Sequence, residues 1–396
     1  MSDKKTSIRQ IHDQELLDVT YRLDNYAYTA NPPFPDKTEW DERMKTRKGP
    51  SYYALFEGDE AVAVVGCPTL TQNVRGKIFK MGGFASIATH PKARRKGYVR
   101  ELMRHAYEQQ INEGRVVSSL YPFRGSFYER LGYVTFPQTR QAIFDPQDLN
   151  PILKMDLPGE AKLVLIGEAY DEYRDYVLAM QPGVHGLANF EDSQKEGVQT
   201  NRSWVLLAKI DGQVAGLMVY SLTDGEIMRF TLRATRFYYR TSAAKYLLLD
   251  WIARHVDQAN RVEMWLPAYE RPGTWLADIR PKLEPVFVAP MGRVLDAKGL
   301  NGMLCGPGSF TAQIVDSDCP WNNGTWKFSG DSGTLEITPA QSADCTLTIQ
   351  GLSALIYGTN DPGDFPYLGW GDPPPELQTT MRTMFPLKLP YLHEYY

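Results

Sequence analysis

The hydrophobic and polar positions in the first third of the chain predict a helix, a group of strands and a second helix. Residues on one face of the first helix are Leu16, Val19, Leu23 and Ala27. Residues 52–56 and 61–67 are apolar runs of strand length, and Gly58-Asp59 between them has hairpin-turn chemistry. Residues 77–89 form another extended segment. The second helix has apolar residues at Val99, Leu102, Met103, Ala106 and Tyr107, and a buried-type strand follows at residues 116–120.

The same order of elements returns later in the chain, at an offset of roughly 145 to 153 residues, which predicts a duplicated fold. The predicted strands cover residues 204–210, 214–220, 226–232 and 262–266, with a helix over residues 243–256. Residues 145–151, rich in Asp, Asn and Pro, are interpreted as a linker between the copies. In the second copy, residues 235–240 stand where the first copy has a glycine-containing turn. Because they lack glycine, we expect chemistry that depends on that turn to be lost.

The last part of the chain has a different character. From about residue 286, Gly and Pro become frequent, with strand-like runs at residues 334–338 and 346–349. Residues 353–358 are typical of a short helix closed by glycine. A third, smaller α+β unit is therefore predicted. Its tail, residues 385–396, is too aromatic for an ordinary solvated terminus.

Composition changes this picture little. The chain has 396 residues, of which 43% are hydrophobic and 23% charged, so two or three ordinary cores are expected. A formal net charge of −4 favours neither nucleic acid nor an anionic membrane and suits a cationic small molecule better. The longest apolar stretch, near residues 61–65, is too short to cross a bilayer, and no signal peptide is recognisable. A cytoplasmic protein is therefore expected. The four cysteines, Cys67, Cys305, Cys319 and Cys345, show no spacing typical of a zinc site or a disulfide framework.

Residues 87–100 carry the clearest chemical signal. A predicted strand leads into a basic loop with one glycine, Gly97, and the loop opens the second helix. Backbone N–H groups and the positive end of a helix dipole then converge at one point, as a pyrophosphate requires. Arg94, Arg95 and Lys96 add positive charge there. A basic helix start of this kind also occurs as plain solvated surface.

The loop resembles the coenzyme A-binding loop R/Q-x-x-G-x-G/A of the GNAT acetyltransferase superfamily. Arg94 and Gly97 match that pattern, whereas Val99 departs from it at the last position. The resemblance implies acetyl-coenzyme A as co-substrate and no metal. The cofactor-binding residues that it implies, together with the neighbouring candidates, are Ile87, Ala88, Thr89, Arg94, Arg95, Lys96, Gly97, Tyr98, Val99, Arg100, Phe123 and Arg124.

A second segment, residues 127–133, resembles the GNAT ending in which a tyrosine lies four residues before a glycine and an aromatic residue. Here these are Tyr128, Gly132 and Tyr133. In that family the tyrosine faces the coenzyme sulfur, which implies that Tyr128 is a general acid or hydrogen-bond donor. A phenol with a pKa of about 10 protonates a thiolate of about 8.5 only if the transfer is coupled to bond breaking. A core aromatic is the alternative role for Tyr128.

The order of the units along the chain resembles the Eis (enhanced intracellular survival) family of aminoglycoside acetyltransferases. The third unit is similar to the sterol carrier protein fold through residues 345–349 and 355–358. We therefore expect an α/β (α+β) protein with a catalytic GNAT domain at residues 1–148, a degenerate GNAT domain at 149–288 and a sterol carrier protein-like domain at 289–396. The resemblance also implies a hexamer.

The same resemblance implies an unusual base, the terminal carboxylate, here on Tyr396. A carboxylate with a pKa of about 3.5 is a weak base for an alkylammonium near 10.4. Desolvation of the ammonium, or relay through water, would have to narrow that gap. A frayed end without a role is the alternative.

A cationic acceptor would require fixed negative charge in its pocket. Asp24 on the first helix and Glu394 beside the terminus are the candidates, with aromatic walls from Tyr26, Tyr28 and Phe34. Each of these residues is otherwise ordinary surface or core.

The sequence thus predicts acetyl transfer to a primary amine of a small cationic molecule, with an aminoglycoside as the first candidate. The expected partners are the small-molecule substrate and further copies of the chain, with neither nucleic acid nor a membrane. Two alternatives stay open. One is acetylation of protein lysines, and the other is a non-catalytic protein that senses coenzyme A and binds lipid.

Overall fold

The computed structural model describes residues 5–29, 31–47, 49–198 and 203–396. The chain forms two compact units. Unit 1 consists of Met1–Pro137, Gln181–Gln194 and Ala289–Tyr396, and unit 2 of Gln138–Met180 and Lys195–Val288. Residues 145–151 lie inside unit 2, in a 3₁₀ helix that buries Leu149 and Ile152. The interpretation of this segment as a linker is therefore wrong, and the division into three domains is kept as a proposal.

The described residues contain both strands and helices. The strands are β1 (Thr6–Ile11), β2 (Ser51–Glu57), β3 (Glu60–Cys67), β4 (Thr69–Val74), β5 (Lys77–Thr89), β6 (Val117–Leu120), β7 (Val134–Thr135), β8 (Arg140–Phe144), β9 (Glu160–Leu165), β10 (Ala188–Phe190), β11 (Trp204–Ile210), β12 (Gln213–Thr223), β13 (Phe230–Tyr239), β14 (Ala259–Leu266), β15 (Lys282–Pro285), β16 (Met291–Val294), β17 (Ser309–Val315), β18 (Gly324–Ser329), β19 (Glu336–Pro339) and β20 (Cys345–Thr348). The α-helices are α1 (Asp13–Asp24), α2 (Lys37–Thr46), α3 (Tyr98–Asn112), α4 (Gly125–Glu129), α5 (Tyr170–Met180), α6 (Lys195–Val198), α7 (Ser242–Ala253), α8 (Ile349–Tyr357), α9 (Phe365–Leu368) and α10 (Pro375–Met384). A π-helical turn, Asn25–Thr29, follows α1, and 3₁₀ helices cover Pro91–Ala93, Pro146–Lys154, Gln181–Gly183, Pro272–Thr274, Lys298–Leu300, Pro320–Asn322 and Pro362–Asp364.

The large sheet of unit 1 has the order β1-β2-β3-β5-β6-β16-β7, with β4 pairing β5 and β10 pairing β4. Strands β1, β2, β3 and β5 are antiparallel, whereas β5 and β6 are parallel and α3 connects them. The β5–β6 pairing is confined to Met81–Phe84 opposite Val117–Leu120. Beyond Phe84, β5 pairs only with β3 among the described strands, so its last residues part from β6 and open a wedge in the sheet.

Unit 2 repeats this topology in the sheet β15-β8-β14-β13-β12-β11-β9. Four strands, β9, β11, β12 and β13, are antiparallel, and β13 is parallel to β14 across α7. The duplicated fold predicted from the sequence is thus confirmed.

The predicted bounds within the second copy need one correction. The third strand runs from Phe230 to Tyr239, so residues 235–239, expected in a loop, are in β13. The arginines in this stretch obscured its alternation, in which Leu232, Ala234 and Phe237 are buried. The connection from β13 to α7 is Arg240-Thr241, which still lacks glycine.

The third segment forms a four-stranded sheet, β19-β18-β17-β20, followed by α8. Gly358 closes α8 with a left-handed conformation (φ 69°), as the sequence predicts. Side chains from this segment, such as Phe310 and Leu347, share one hydrophobic core with Met81 and Val117 of the large sheet. The tail also belongs to this core, because Leu392 is buried in it. Residues 390–393 are buried, whereas residues 386–389 are exposed, so the expectation that the tail is not an ordinary solvated terminus is confirmed for its aromatic end.

Three further observations concern membrane-spanning helices, disulfide bonds and metal sites. No helix of the described residues is both long and apolar enough to cross a membrane. The four cysteines are free thiols. The described part of the chain contains no group of three or more His, Cys, Asp or Glu residues that could hold a metal ion.

Candidate active site

A cleft of about 860 Å³ in unit 1 lies where β5 parts from β6. The start of α3 and the segment around α4 form its other walls. The predicted cofactor residues that line it are Ile87, Ala88, Thr89, Arg94, Arg95, Gly97, Tyr98, Val99, Arg100, Phe123 and Arg124. Residues that were not predicted as site residues also line it, namely Ala27, Ala93, Phe127, Arg130 and Leu131. The cleft therefore gathers all but one of the predicted cofactor residues.

Lys96 is the exception and does not line the cleft. Its Nζ lies 2.6 Å from Glu57 Oε1, and the Tyr98 hydroxyl donates to the same oxygen over 2.7 Å. The residues on either side of Lys96, Arg95 (φ 64°) and Gly97 (φ 84°), both have a left-handed backbone. The backbone therefore turns sharply at Lys96, and the Lys96 side chain points away from the cleft that its neighbours line. These bonds also hold the pKa of Glu57 below its ordinary value.

The glycine of the basic loop occupies the N-cap of α3. Its positive φ favours glycine, and a Cβ placed on Gly97 would meet no atom within 4 Å. Without a side chain, Gly97 cannot cap the helix, and no side-chain cap is present. The first amides of α3, on Tyr98, Val99 and Arg100, have no acceptor within the helix. These N–H groups and the two arginines of the loop that line the cleft, Arg94 and Arg95, fit a diphosphate.

Tyr128 lies behind the aromatic wall of the cleft and is only 3% exposed. Its ring centroid is 5.7 Å from that of Phe123 and 5.0 Å from that of Phe127, and both of these residues line the cleft. Within the described residues its hydroxyl makes no hydrogen bond to protein. Burial, with smaller contributions from Tyr28 and Tyr133, raises the pKa of Tyr128 far above its ordinary value. The phenol is thus fixed in its protonated form, as a hydrogen-bond donor must be.

The tail of the chain ends where β5 and β6 part. Tyr121, directly after β6, stacks on Tyr395 with ring centroids 4.5 Å apart and donates a hydrogen bond to the carbonyl of Leu392 over 3.2 Å. The ring of Tyr396 packs edge-on to Tyr121. A Cβ on Gly83 of β5 would lie 2.9 Å from this ring, so glycine is required there. The sequence analysis missed Gly83, because nothing near it in sequence signals a contact with residue 396.

Asp24 closes α1 and is only 5% exposed. Burial raises the pKa of this carboxyl from 3.8 to about 7, against the opposing effects of a hydrogen bond from Ser86 and the charges of Arg47 and Arg43. Its Oδ1 is buried and has no hydrogen-bond partner among the described residues. Ser86 has a positive φ (48°) and precedes the stretch of β5 that lines the cleft. A residue with a strained backbone and a buried carboxyl with one unpartnered oxygen thus lie close to the stretch of β5 that lines the cleft.

None of the four predicted substrate residues lines the cleft, Asp24 included. Tyr26 is half-exposed, with the guanidinium of Arg94 at 5.9 Å from its ring centroid. Phe34 packs edge-on to Tyr21. Glu394 Oε1 lies 2.9 Å from His393 Nε2 in the tail. Of the predicted aromatic walls, only Tyr28 lines the cleft. The structure therefore gathers the cofactor residues more tightly than the acceptor residues.

Comparisons with known proteins agree with this geometry. Residues 7–136 match the family model "Acetyltransferase (GNAT) domain", and residues 302–392 match "Sterol carrier protein domain". A relative from Streptomyces avermitilis, described as an uncharacterized N-acetyltransferase, is 22% identical over 334 residues, which cover 77% of this chain and 78% of the relative.

Solved structures extend the likeness over the whole chain. Three of them each cover 99% of this chain and 100% of their own: a probable N-acyltransferase from Enterococcus faecalis (TM-score 0.86, 18% identity), a GCN5-related N-acetyltransferase from Kribbella flavida (0.83, 21%) and Eis1 from Mycobacterium abscessus (0.80, 14%). At these identities the structures show a shared fold. The GNAT match carries the activity, and it implies acetyl-coenzyme A as co-substrate. The chain is thus an acyltransferase of the GNAT type, with a GNAT acetyltransferase domain, a sterol carrier protein domain and an Eis-like fold throughout.

Proposed function

We propose that this protein transfers the acetyl group of acetyl-coenzyme A to a primary amine of a small cationic molecule, with aminoglycosides as the first candidates. One observation carries the proposal: the uncapped, cationic start of α3 lies on the same cleft as Phe123 and Phe127, and the protonated phenol ring of Tyr128 packs directly behind these two rings. A co-substrate whose diphosphate lies at Gly97 would then extend along residues 87–89 toward Tyr128.

The chemistry asked of the protein is acid–base chemistry around direct attack. Bound acetyl-coenzyme A supplies the acetyl group as a thioester. The acceptor nitrogen bonds to the carbonyl carbon, the carbon–sulfur bond breaks, and the nitrogen loses a proton. In our proposal Tyr128 donates its phenolic hydrogen to the leaving sulfur. The carboxylate of Tyr396, whose ring lies near Gly83 and Tyr121, receives the proton from the nitrogen.

For the acceptor we propose that Asp24 supplies the fixed negative charge. Its unpartnered Oδ1 has lost its hydration without gaining a protein donor. A cationic amine that approaches from the cleft would restore this loss. Glu394, Tyr26 and Phe34 are kept as proposed acceptor contacts around the tail and the mouth of the site.

The acceptor class is tested by measuring thiol release from acetyl-coenzyme A with aminoglycosides, polyamines, free amino acids and lysine peptides. We expect turnover with aminoglycosides. Turnover confined to lysine peptides would instead favour the protein lysine acetyltransferase. Absence of thiol release with every amine, together with a copurifying lipid, would favour a non-catalytic role.

Asp24→Asn is expected to weaken acceptor binding while stabilising the protein. Folding raises the pKa of Asp24 from 3.8 to about 7, so between these pH values the folded state binds more protons than the unfolded state. The folded state therefore loses stability as pH rises through this window, and the full loss remains above pH 7. The neutral amide removes the cost, and unfolding at pH 8 should require on the order of a few kcal/mol more, since one unit corresponds to about 1.4 kcal/mol. The KM for the amine should rise about tenfold or more.

The same variant tests the pH dependence. In the native enzyme kcat/KM for the amine should fall as pH drops through about 7, because Asp24 becomes neutral there. Asp24→Asn should lack this decrease. Asp18→Asn on the exposed side of the same helix is the matched control and should alter neither quantity. An Asp24→Asn enzyme with native KM and an unchanged pH profile would contradict the acceptor role.

Gly97→Ala is expected to raise the KM for acetyl-coenzyme A about tenfold with little change in kcat. A Cβ at φ 84° costs about 1–2 kcal/mol of backbone strain and stands where the backbone should approach phosphate. Gly114→Ala is the matched control, because Gly114 ends the same helix with φ 76° and an equally open Cβ position, outside the cleft. Steady-state kinetics of both variants check the prediction, which fails if the two behave alike.

We propose that unit 2 binds no coenzyme. Its strand-to-helix connection is only Arg240-Thr241, and the Thr241 hydroxyl oxygen accepts a hydrogen bond from the amide of Ala244 over 3.2 Å. The start of α7 is therefore capped by the protein itself, in contrast to the start of α3. This supports a degenerate second GNAT domain within the proposed division 1–148, 149–288 and 289–396. We also propose that the protein assembles into a hexamer, because its fold is Eis-like.

A further inference from the structure

A carboxylate of the sterol carrier protein domain, that of Asp318, binds two arginines in the first half of α3. Asp318 lies just beyond β17 and is 3% exposed. Its Oδ1 accepts hydrogen bonds from Nε of Arg100 over 2.8 Å and from Nε of Arg104 over 2.6 Å, and its Oδ2 accepts one from Nη2 of Arg100 over 3.1 Å. Burial alone would raise the pKa of Asp318, but the two arginines hold it below its ordinary value. The pair with Arg100 is therefore ionic and bidentate.

The loop that carries Asp318 is itself fixed. Asp316 Oδ1 accepts hydrogen bonds from the amides of Asp318 over 3.1 Å and Cys319 over 3.0 Å. Its Oδ2 is 2.6 Å from Nη2 of Arg293, in an ion pair with no exposed surface on the arginine. Asp318 is thus a rigid anchor, not a mobile surface charge.

The two arginines that Asp318 holds differ in position. Arg100 lines the cleft, whereas Arg104, one turn further along α3, does not. Asp318 and Ser317 occupy Nε and Nη2 of Arg100. Its Nη1 has no hydrogen-bond partner within the described residues. The fixed guanidinium therefore keeps one donor edge for a ligand in the cleft.

We propose that Asp318 is a positioning residue for the cofactor: it holds Arg100 so that the free edge of the guanidinium meets a phosphate of acetyl-coenzyme A. The proposal rests on the proposed coenzyme binding in this cleft. It makes the sterol carrier protein domain part of the acetyltransferase site. A preorganised arginine loses less side-chain freedom when it binds phosphate, so the anchor should improve affinity.

The direction of the effect separates this proposal from simple electrostatics. Asp318→Asn removes a negative charge near a site for an anion, so Coulomb's law alone predicts tighter coenzyme binding. Loss of positioning predicts weaker binding. We expect the KM for acetyl-coenzyme A to rise about five- to tenfold, because a long side chain that is no longer held in place must be ordered when the ligand binds. The kcat should change less than about twofold.

Matched variants exclude a general loss of stability. Asp361→Asn breaks a bidentate pair with Arg382 (2.7 and 2.8 Å) in the same domain, outside the cleft, and should leave KM unchanged. Arg104→Ala should also leave it nearly unchanged. Arg100→Ala should raise it, and adding Asp318→Asn to Arg100→Ala should raise it no further. If Asp318→Asn does not fold, Arg100→Lys, which leaves Arg104 on Asp318, should raise KM in its place.

Binding of acetyl-coenzyme A and its 3′-dephospho form, measured by calorimetry, completes the test. A defect of Asp318→Asn that persists with the dephospho form places the contact at the diphosphate, and one that vanishes places it at the 3′-phosphate; the proposal expects one of the two. Native or tighter affinity in Asp318→Asn overturns the inference alone. Failure of the native protein to bind acetyl-coenzyme A overturns the proposed function instead.

Discussion

Replacing Tyr128 with phenylalanine should lower kcat by about 10²- to 10³-fold, with a much smaller change in the KM for acetyl-coenzyme A. The substitution keeps the ring that packs on Phe123 and Phe127 and removes only the hydroxyl, which has no protein partner in the described structure. A sulfur that leaves without a donor keeps its negative charge in a poorly solvated site. Steady-state kinetics with a saturating amine measure the effect.

The pH dependence of kcat gives a second test of the role of Tyr128. Because the pKa of Tyr128 is raised, the phenol stays protonated over the working range, and no alkaline decrease in kcat should arise from it below about pH 10. Tyr107→Phe is the matched control, since Tyr107 is a buried tyrosine of the same core cluster, on the far part of α3 and outside the cleft. Equal kcat in the Tyr128→Phe and native enzymes would remove Tyr128 from the mechanism.

Appending a single glycine after Tyr396 should lower kcat about 10²-fold or more, because it moves the terminal carboxylate by one residue. The ring contacts of Tyr396 with Tyr121 and Gly83 can persist in this variant, so the change isolates the charge from the packing. The affinity for acetyl-coenzyme A should change little. Single-turnover kinetics and calorimetry measure the two quantities separately.

Tyr396→Phe separates the side chain from the carboxylate. The phenol oxygen of Tyr396 is buried without a hydrogen-bond partner, and burial raises its pKa well above the ordinary value. Removing that oxygen should leave kcat near the native value and should not destabilise the fold, since an unsatisfied polar atom is lost. If the extended protein turns over as fast as the native one, the base lies elsewhere.

The sequence was sufficient wherever the chemistry is local. The strand β5 has the bounds expected of the extended segment 77–89, and the turn at Gly58-Asp59 connects β2 and β3 as its dipeptide predicts. The loop before α3 was recognisable because its glycine, its cations and its helix are contiguous. All but one of its predicted residues line the cleft for the same reason.

The long-range features were not predictable in this way. The Glu57 carboxylate that takes the side chain of Lys96 lies on β2, and only the folded sheet brings the two together. The acceptor candidates Tyr26, Phe34 and Glu394 were chosen by residue type, and residue type does not determine where a side chain points in the folded protein. Asp24 has an unusual pKa only because it is buried, and burial of one acid on an amphipathic helix leaves no periodic signal.

The insertion of β16 has a consequence for how the chain is made. This strand lies between β6 and β7 in the large sheet, although about 170 residues separate it from β6 along the chain. During synthesis the N-terminal GNAT segment therefore emerges from the ribosome with an open seam in its interior. The seam closes only after unit 2 has been translated. A fragment cut before Met291 lacks the strand that joins β6 to β7, so we expect that the acetyltransferase domain does not fold apart from the rest of the chain.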